Sequence, residues 1–167
     1  MKTESAFYRD ANRVPITNLG LITKKTITFA GATADAWGND GGALDAGAIF
    51  TVTGIVKVQL LAECTTDLVG GATIEVGISG NTAIFLPQET DTEIDDGEMW
   101  LNNATPATSY VIGEEEAAAD NLPIYLLNGT DIIFTVSGAN DVDSGVLDFY
   151  AIWSPISSDA DVADSGN

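Results

Sequence analysis

Apolar and polar residues alternate with a period of two along most of this chain. The clearest case is residues 49–62, where one parity is Phe, Val, Gly, Val, Val and Leu, and the other is Thr, Thr, Ile, Lys and Gln. Successive side chains of a strand point to opposite faces, so this pattern predicts one long, half-buried strand. Gly54 lies inside it and is predicted to mark a bulge or bend.

Further alternating or short apolar runs predict seven more strands, at residues 26–29, 74–78, 83–86, 109–112, 124–127, 132–137 and 146–153. The sequence Asn-Gly-Thr-Asp at 128–131 predicts a tight hairpin between two of them. Only residues 95–102 and 114–120 have helical character. Many strands joined by Gly, Asn and Asp turns predict an all-β fold, a single jelly-roll-like antiparallel β-sandwich over residues 26–156, with an immunoglobulin-like sandwich as the alternative.

The two ends differ from this body. Residues 1–25 are polar, with five basic and two acidic side chains, and Pro15 restricts Val14 to extended geometry. We therefore expect an extended N-terminal arm that gains structure by lying on another surface. Residues 157–167 combine aspartates with small residues and contain no aromatic side chain. This composition predicts a disordered acidic tail.

Charge is distributed unevenly between the two halves of the chain. All six basic residues lie in the first 57 positions, and the remaining 110 residues carry twenty carboxylates with no Lys or Arg. Such a body repels phosphate backbones and anionic lipids, so nucleic acid and membranes are excluded as partners. A basic protein surface, metal cations and the chain's own N-terminal segment are the partners left open, beside a simple role of the charge in solubility.

Most catalytic sites are excluded by missing residue types. The chain has no His and one Cys, so it cannot form a Ser-His-Asp triad, a Cys-His pair, a His-ligated zinc site or an iron–sulfur site. Cys64 ends an apolar run and is predicted to be a buried, inert thiol. Hydrolysis by paired carboxylates needs no His and is the one catalytic class left open. We therefore expect that the protein is not an enzyme and that it binds no cofactor.

The densest acidic run, residues 89–98, places carboxylates at alternate positions, as calcium loops do. It departs from the EF-hand pattern because Asp96 stands where that loop has glycine and Asn102 stands where it has the closing Glu. Two interpretations stay open, an irregular calcium site and a solvated loop that its like charges keep extended. The candidate metal ligands are Asp91, Glu93, Asp95, Asp96 and Glu98.

Two other groups have alternative interpretations. The three glutamates at 114–116 complement a helix dipole if they form a first helical turn, or they form a docking patch for a basic partner. Trp37, Trp100, Tyr150 and Trp153 are candidates for a sugar-stacking platform. Packing in the core or at a subunit interface is the commoner use of such side chains, and we expect it here.

Four segments of the chain are similar to a family of virion proteins. They are Asp-Ala-Asn-Arg-Val-Pro at 10–15, Phe-Thr-Val-Thr-Gly-Ile-Val-Lys-Val at 50–58, Thr-Ile-Glu-Val-Gly-Ile at 73–78 and Asp-Phe-Tyr-Ala-Ile-Trp-Ser-Pro at 148–155. Together they resemble small virion structural proteins of tailed bacteriophages, which include β-sandwich capsid decoration (cement) proteins. The resemblance implies a protein without catalytic residues on the outer capsid surface, bound to the major capsid protein and to itself, with a homotrimer favoured.

This resemblance gives the N-terminal arm a role as a capsid anchor. In that interpretation Arg9 and Arg13 pair with acidic groups on the capsid or on a neighbouring copy, because the guanidinium fork suits such interfaces. The apolar contacts are assigned to Phe7, Tyr8, Val14 and Ile16. No secretory signal follows Met1, so we expect synthesis in the host cytoplasm.

The alternative function is a fibre or spike module of a virion that recognises a host glycan or a divalent ion. It would present Trp37, Trp100 and the acidic loop at 89–98 as an exposed site.

Overall fold

The computed structural model describes residues 20–102, 105–109 and 122–167. Its strands form two sheets of five strands each, and every strand pair is antiparallel. The all-β sandwich predicted from the sequence is confirmed, while the jelly-roll connectivity stays a prediction. The strands are β1 (Leu21–Thr28), β2 (Gly47–Thr53), β3 (Ile55–Val69), β4 (Thr73–Ile78), β5 (Asn81–Thr90), β6 (Met99–Trp100), β7 (Tyr125–Asn128), β8 (Ile132–Ser137), β9 (Ser144–Pro155) and β10 (Asp161–Asp164).

Sheet one has the order β1-β9-β3, and both β6 and β7 pair with the far edge of β3. Its centre is the pairing of the fifteen-residue β3 with the twelve-residue β9, which runs from Val56 opposite Pro155 to Val69 opposite Ser144. Sheet two has the order β10-β2-β8-β4-β5. A 3-10 turn, Asp91–Glu93, follows β5.

The long strand predicted over residues 49–62 is two strands in different sheets, so that prediction is wrong in one respect. Gly54 has a φ of 63°, which a glycine adopts without strain, and the chain turns there from β2 in sheet two to β3 in sheet one. The apolar parity continues through this corner because Val52 and Val56 face the same core from opposite sheets, and both are buried.

The hairpin predicted at residues 128–131 is a second connection between the sheets, because β7 belongs to sheet one and β8 to sheet two. Its Gly129 has a φ of 61° and donates its amide proton to the Gly54 carbonyl at 2.9 Å. The two corners therefore brace each other at one end of the sandwich.

Aromatic rings join the two sheets at the centre of the core. Phe134 of β8 is fully buried, and its ring centroid lies 5.9 Å from that of Phe149 on β9. Phe29 and Trp37 pack against the same ring, at 5.4 Å and 6.1 Å. These tilted and edge-on arrangements are the favoured ones for aromatic pairs, so they strengthen the contact between the sheets beyond the burial of area.

The prediction of a disordered tail over residues 157–167 is wrong. Asp161–Asp164 forms β10, which pairs with β2 along the edge of sheet two. Val162 supplies the physical reason, because its side chain is buried against the core and only 2% exposed.

The boundary of the predicted N-terminal arm also differs from the prediction, because β1 begins at Leu21 and so includes residues 21–25. Residues 1–19 lie outside the described part.

The prediction of a helix at residues 95–102 is also wrong. Met99 pairs with Glu63 in the sheet and forms a bridge to Ala107, and these backbone hydrogen bonds hold the segment extended. The helix predicted at 114–120 lies outside the described residues, as does most of the strand predicted at 109–112.

Side chains close the gap between the two edge strands β1 and β10. The Lys25 ammonium, on a residue only 6% exposed, donates to Asp164 Oδ1 at 2.7 Å and to the Asn167 main-chain oxygen at 2.6 Å. Thr23 Oγ1 donates to the Val162 carbonyl at 2.6 Å. Burial alone would raise the pKa of Asp164, but hydrogen bonds from Lys25 and the Gly166 amide hold it below its usual range.

We predict that Asp164→Asn destabilises the protein at neutral pH and has no effect in strong acid. A carboxyl group whose pKa is lowered by folding stabilises the fold above its unfolded pKa, near 4, and this contribution is lost as the pH falls through the lower folded value. The loss at neutral pH is about 0.5–1 kcal/mol, because the side chain is 48% exposed and water screens the pair. Urea unfolding at several pH values measures it, with Asp161→Asn on the same strand as the control. An equal loss at every pH would contradict the prediction.

Candidate functional site: the outer face of sheet one

The acidic run proposed as a calcium site does not form a cluster. Asp91 is fully buried, whereas the four other candidates, Glu93, Asp95, Asp96 and Glu98, are exposed or half-buried. Among the residues that the structure describes, no three His, Cys, Asp or Glu side chains are placed to hold a metal ion. Of the two interpretations, the geometry favours the solvated loop.

Asp91 has a structural role. Its carboxylate accepts the Gly71 amide at 2.9 Å and the Thr92 amide at 2.7 Å, which fixes the turn between β3 and β4. Burial raises the pKa of Asp91, and these amides partly offset the effect. Gly70, with a φ of 155°, completes the turn because a Cβ there would lie 1.9 Å from the Asp141 carbonyl oxygen.

The tryptophans do not form a sugar-stacking platform. Trp37, Trp100 and Trp153 are 7%, 0% and 6% exposed and belong to the core, which confirms the packing role. Tyr150 is half-buried on a different surface. The glycan-binding interpretation therefore loses the two side chains, Trp37 and Trp100, on which it depended.

Cys64 is fully buried on the inner face of β3, as predicted from its position at the end of an apolar run. Burial is the main reason why the pKa of its thiol rises from 9.0 to about 11. The thiolate is the reactive form, so both the low access and the raised pKa make this thiol inert.

We predict that Cys64 resists thiol reagents in the folded protein at pH 8. The raised pKa alone lowers the thiolate fraction about 100-fold, and burial slows the reaction further. Labelling with a chromogenic disulfide, followed with and without urea, measures the difference. A labelling rate in the folded protein equal to that in urea would contradict the prediction.

The outer face of sheet one is the most distinctive surface of the described residues. Because strands alternate, the same strands that fill the core with one parity present the other parity to solvent. Strand register sets these outward residues in four rows across the sheet. The rows are Thr26, Asp148 and Glu63; Lys24, Tyr150 and Leu61; Ile22, Ile152 and Gln59; and Ser154, Lys57 and Leu126.

Large apolar side chains on this face are open to water. Ile22 is 64% exposed, Leu126 is 71% exposed and Ile124, just before β7, is 53% exposed. Ile152 and Leu61 lie half-exposed between them. Register places Ile22 beside Ile152, and exposed apolar side chains next to one another are a feature of protein–protein interaction sites.

The face also carries both exposed lysines of the described residues, Lys24 and Lys57. The Lys24 ammonium lies 2.6 Å from Asp148 Oδ2 and 5.5 Å from the centroid of the Tyr150 ring. Its hydrogen bond with Asp148 raises the pKa of Lys24. Tyr150 in turn donates to Glu63 Oε2 at 3.1 Å, and burial together with that carboxylate raises its pKa. This network holds one end of the face in a fixed arrangement.

The outer face of sheet two has a different chemistry. Its outward residues carry mainly hydroxyl and carboxylate groups, from Thr51, Thr53, Thr73, Glu75, Ser137 and Asp161, beside the half-buried Ile133. Polar outward residues are typical of a sheet face that stays in water. The contrast identifies the outer face of sheet one as the candidate functional site.

Sequence reasoning missed this face. The outward residues Ile55, Lys57 and Gln59 belong to the polar parity of the predicted half-buried strand, and Leu61 continues that parity. The sequence feature that indicates an apolar outer face is the isoleucine and leucine in this parity, where a solvated face has threonine or charged residues.

Residues 1–19 include all six predicted partner-binding residues, Phe7, Tyr8, Arg9, Arg13, Val14 and Ile16, and they lie outside the described part, as do the glutamates at 114–116. Within the described ranges, no helix has the length and apolar character that crossing a membrane requires.

No family model, no curated protein and no solved structure matches this chain.

Proposed function

We propose that this protein is a structural protein of a tailed-phage virion, a capsid decoration protein that binds the outer shell and stabilises it. The observation that carries the proposal is the exposed apolar face of sheet one, with its two lysines, on an otherwise acidic sandwich. Surfaces of this kind serve assembly with other proteins. The resemblance of four sequence segments to virion proteins supplies the class of assembly.

The physical role in this proposal is a clip. A ligand that binds the assembled lattice and not its separate subunits stabilises the lattice by mass action. Packaged DNA presses the shell outward, so a rigid module that spans neighbouring capsid subunits opposes their separation. A sandwich whose sheets are joined by interlocked aromatic rings, such as Phe134 and Phe149, suits that load.

In this proposal the two parts of the chain with different charge have different roles. The N-terminal segment, with Arg9 and Arg13, is the proposed anchor on the major capsid protein, and the sandwich is the body that it attaches. The resemblance favours a trimer, to which the two-fold pairing proposed below is the alternative.

The proposal predicts saturable binding to mature capsids that lack this protein. Purified protein is mixed with such shells, the particles are pelleted, and bound copies are counted per shell. Saturation at a multiple of the lattice symmetry is the expected result, because each equivalent site on the shell takes the same number of copies. Absence of binding, with the protein instead found at low copy number on tails, would refute a role in decoration.

A second prediction concerns the anchor. Removal of residues 1–16 abolishes capsid binding and leaves the melting temperature of the sandwich unchanged, because β1 begins only at Leu21. Arg13→Glu in the full chain weakens binding by at least about 10-fold, as expected for loss of an interface Arg contact, and Lys2→Glu is the matched charge reversal in the same segment. Capsid binding by the shortened chain at full strength would exclude the anchor role.

A further inference from the structure

We propose that two copies of this chain pair through the outer face of sheet one, about a two-fold axis that crosses the strands near Leu60. The partner is therefore a second copy of the chain. The argument rests on the placement of charge and apolar residues along β3 and β9. It does not depend on the proposed function, because the pairing is a property of the purified protein.

Two opposite charges lie six residues apart on the outer face of β3. Lys57 is exposed near the start of the strand, and Glu63 is half-buried near its middle, where it accepts the Tyr150 hydroxyl. Six residues of strand separate them by about 20 Å, so they cannot pair within one chain. Across the residues that the structure describes, the ion pairs are Lys24 with Asp148 and Lys25 with Asp164, so Lys57 lacks a carboxylate partner there.

A two-fold axis in the plane of the interface and perpendicular to the strands reverses the strand direction between copies. It stacks β3 on β3, and with the axis at Leu60 it places Lys57 opposite Glu63 of the second copy, and Gln59 opposite Leu61. The ion pair between Lys57 of one copy and Glu63 of the other therefore forms twice, because each contact of an isologous interface occurs twice. Sheets that pack face to face lie about 10 Å apart, a gap that Lys and Glu side chains close together.

Strand β9 and the far edge of β3 give further apolar contacts, while on β1 the axis places Ile22 opposite Lys24 of the second copy. Leu60 is opposite Ala151 in the register, so the axis places Ile152 of β9 opposite Tyr150 of the second copy. At the edge, Leu126 lies in the row of Lys57 and Met99 in the row of Glu63, so these two apolar side chains also meet. The arrangement covers Leu126, which is 71% exposed in the single chain.

The alternatives are less favourable electrostatically. An axis parallel to the strands keeps each row opposite itself and brings the Lys57 ends of the two copies together. Pairing through sheet two would place two acidic faces against each other, because its outward residues include Glu75 and Asp161 and no lysine. Like charges across an interface oppose association, so the axis across the strands is selected.

The test is the molar mass of the full chain by light scattering over a dilution series, with charge-reversal variants. The expected result is a dimer for the natural chain and at least about 10-fold weaker pairing for Lys57→Glu and for Glu63→Lys, because each places like charges opposite each other. The variant with both changes restores pairing, because every exchanged charge again meets its opposite. Glu75→Lys on sheet two is the matched control and leaves the mass unchanged.

Circular dichroism of each variant establishes that it is folded. A monomer at all concentrations would overturn the proposal, and so would a trimer, the state that the resemblance favours. Single variants that pair as tightly as the natural chain, or a folded double variant that stays monomeric, would overturn it as well. Capsids are absent from this experiment, so its failure is distinct from failure of the proposed function.

Discussion

The antiparallel pairing of β3 with β9 is the constraint on which the rest of the structure depends. These two long strands come from distant parts of the chain, and their register fixes the position of β1 on one side and of β6 and β7 on the other. One parity of each strand fills the core, with Phe149 reaching Phe134 of the opposite sheet. The other parity forms the outer face of sheet one. A shift of one residue in this register would exchange the two sets, so core and candidate site are specified together.

The same constraint explains why a protein so rich in acid has one face of different character. Strand β3 provides the Lys57 side chain, and β1 provides Lys24, in rows set by their pairing with β9 and its neighbours. Apart from Glu63 and Asp148 on this face and Glu75 on β4, most acidic residues of the described part lie in turns and near strand ends, where several of them accept backbone amides. Asp45 binds the Val136 amide at 2.9 Å and Asp141 binds the Asp40 amide at 2.8 Å. Many carboxylates therefore organise loops in addition to keeping the surface charged.

The sequence predicted local structure better than it predicted connections. Alternation located β3, β4, β8 and β9, because their core-facing residues are large and regularly spaced. It could not show that Gly54 changes sheets, because apolar parity is preserved when both strands face one core. It also missed β10, whose single buried anchor, Val162, gives no periodic signal. The acidic run looked like a cation site because spacing alone does not reveal that Asp91 turns inward to bind backbone amides.

The separation of β9 from β1 and β3 along the chain has a consequence for biosynthesis. Translation delivers β1 and β3 long before β9, so neither can complete its pairing in sheet one until β9 itself has been made. A nascent chain with unpaired strands is prone to aggregate on the ribosome. The carboxylates that follow Lys57 give the waiting chain mutual repulsion during this interval. The acidic sequence thus opposes aggregation of the nascent chain before the sheets and their outer faces have formed.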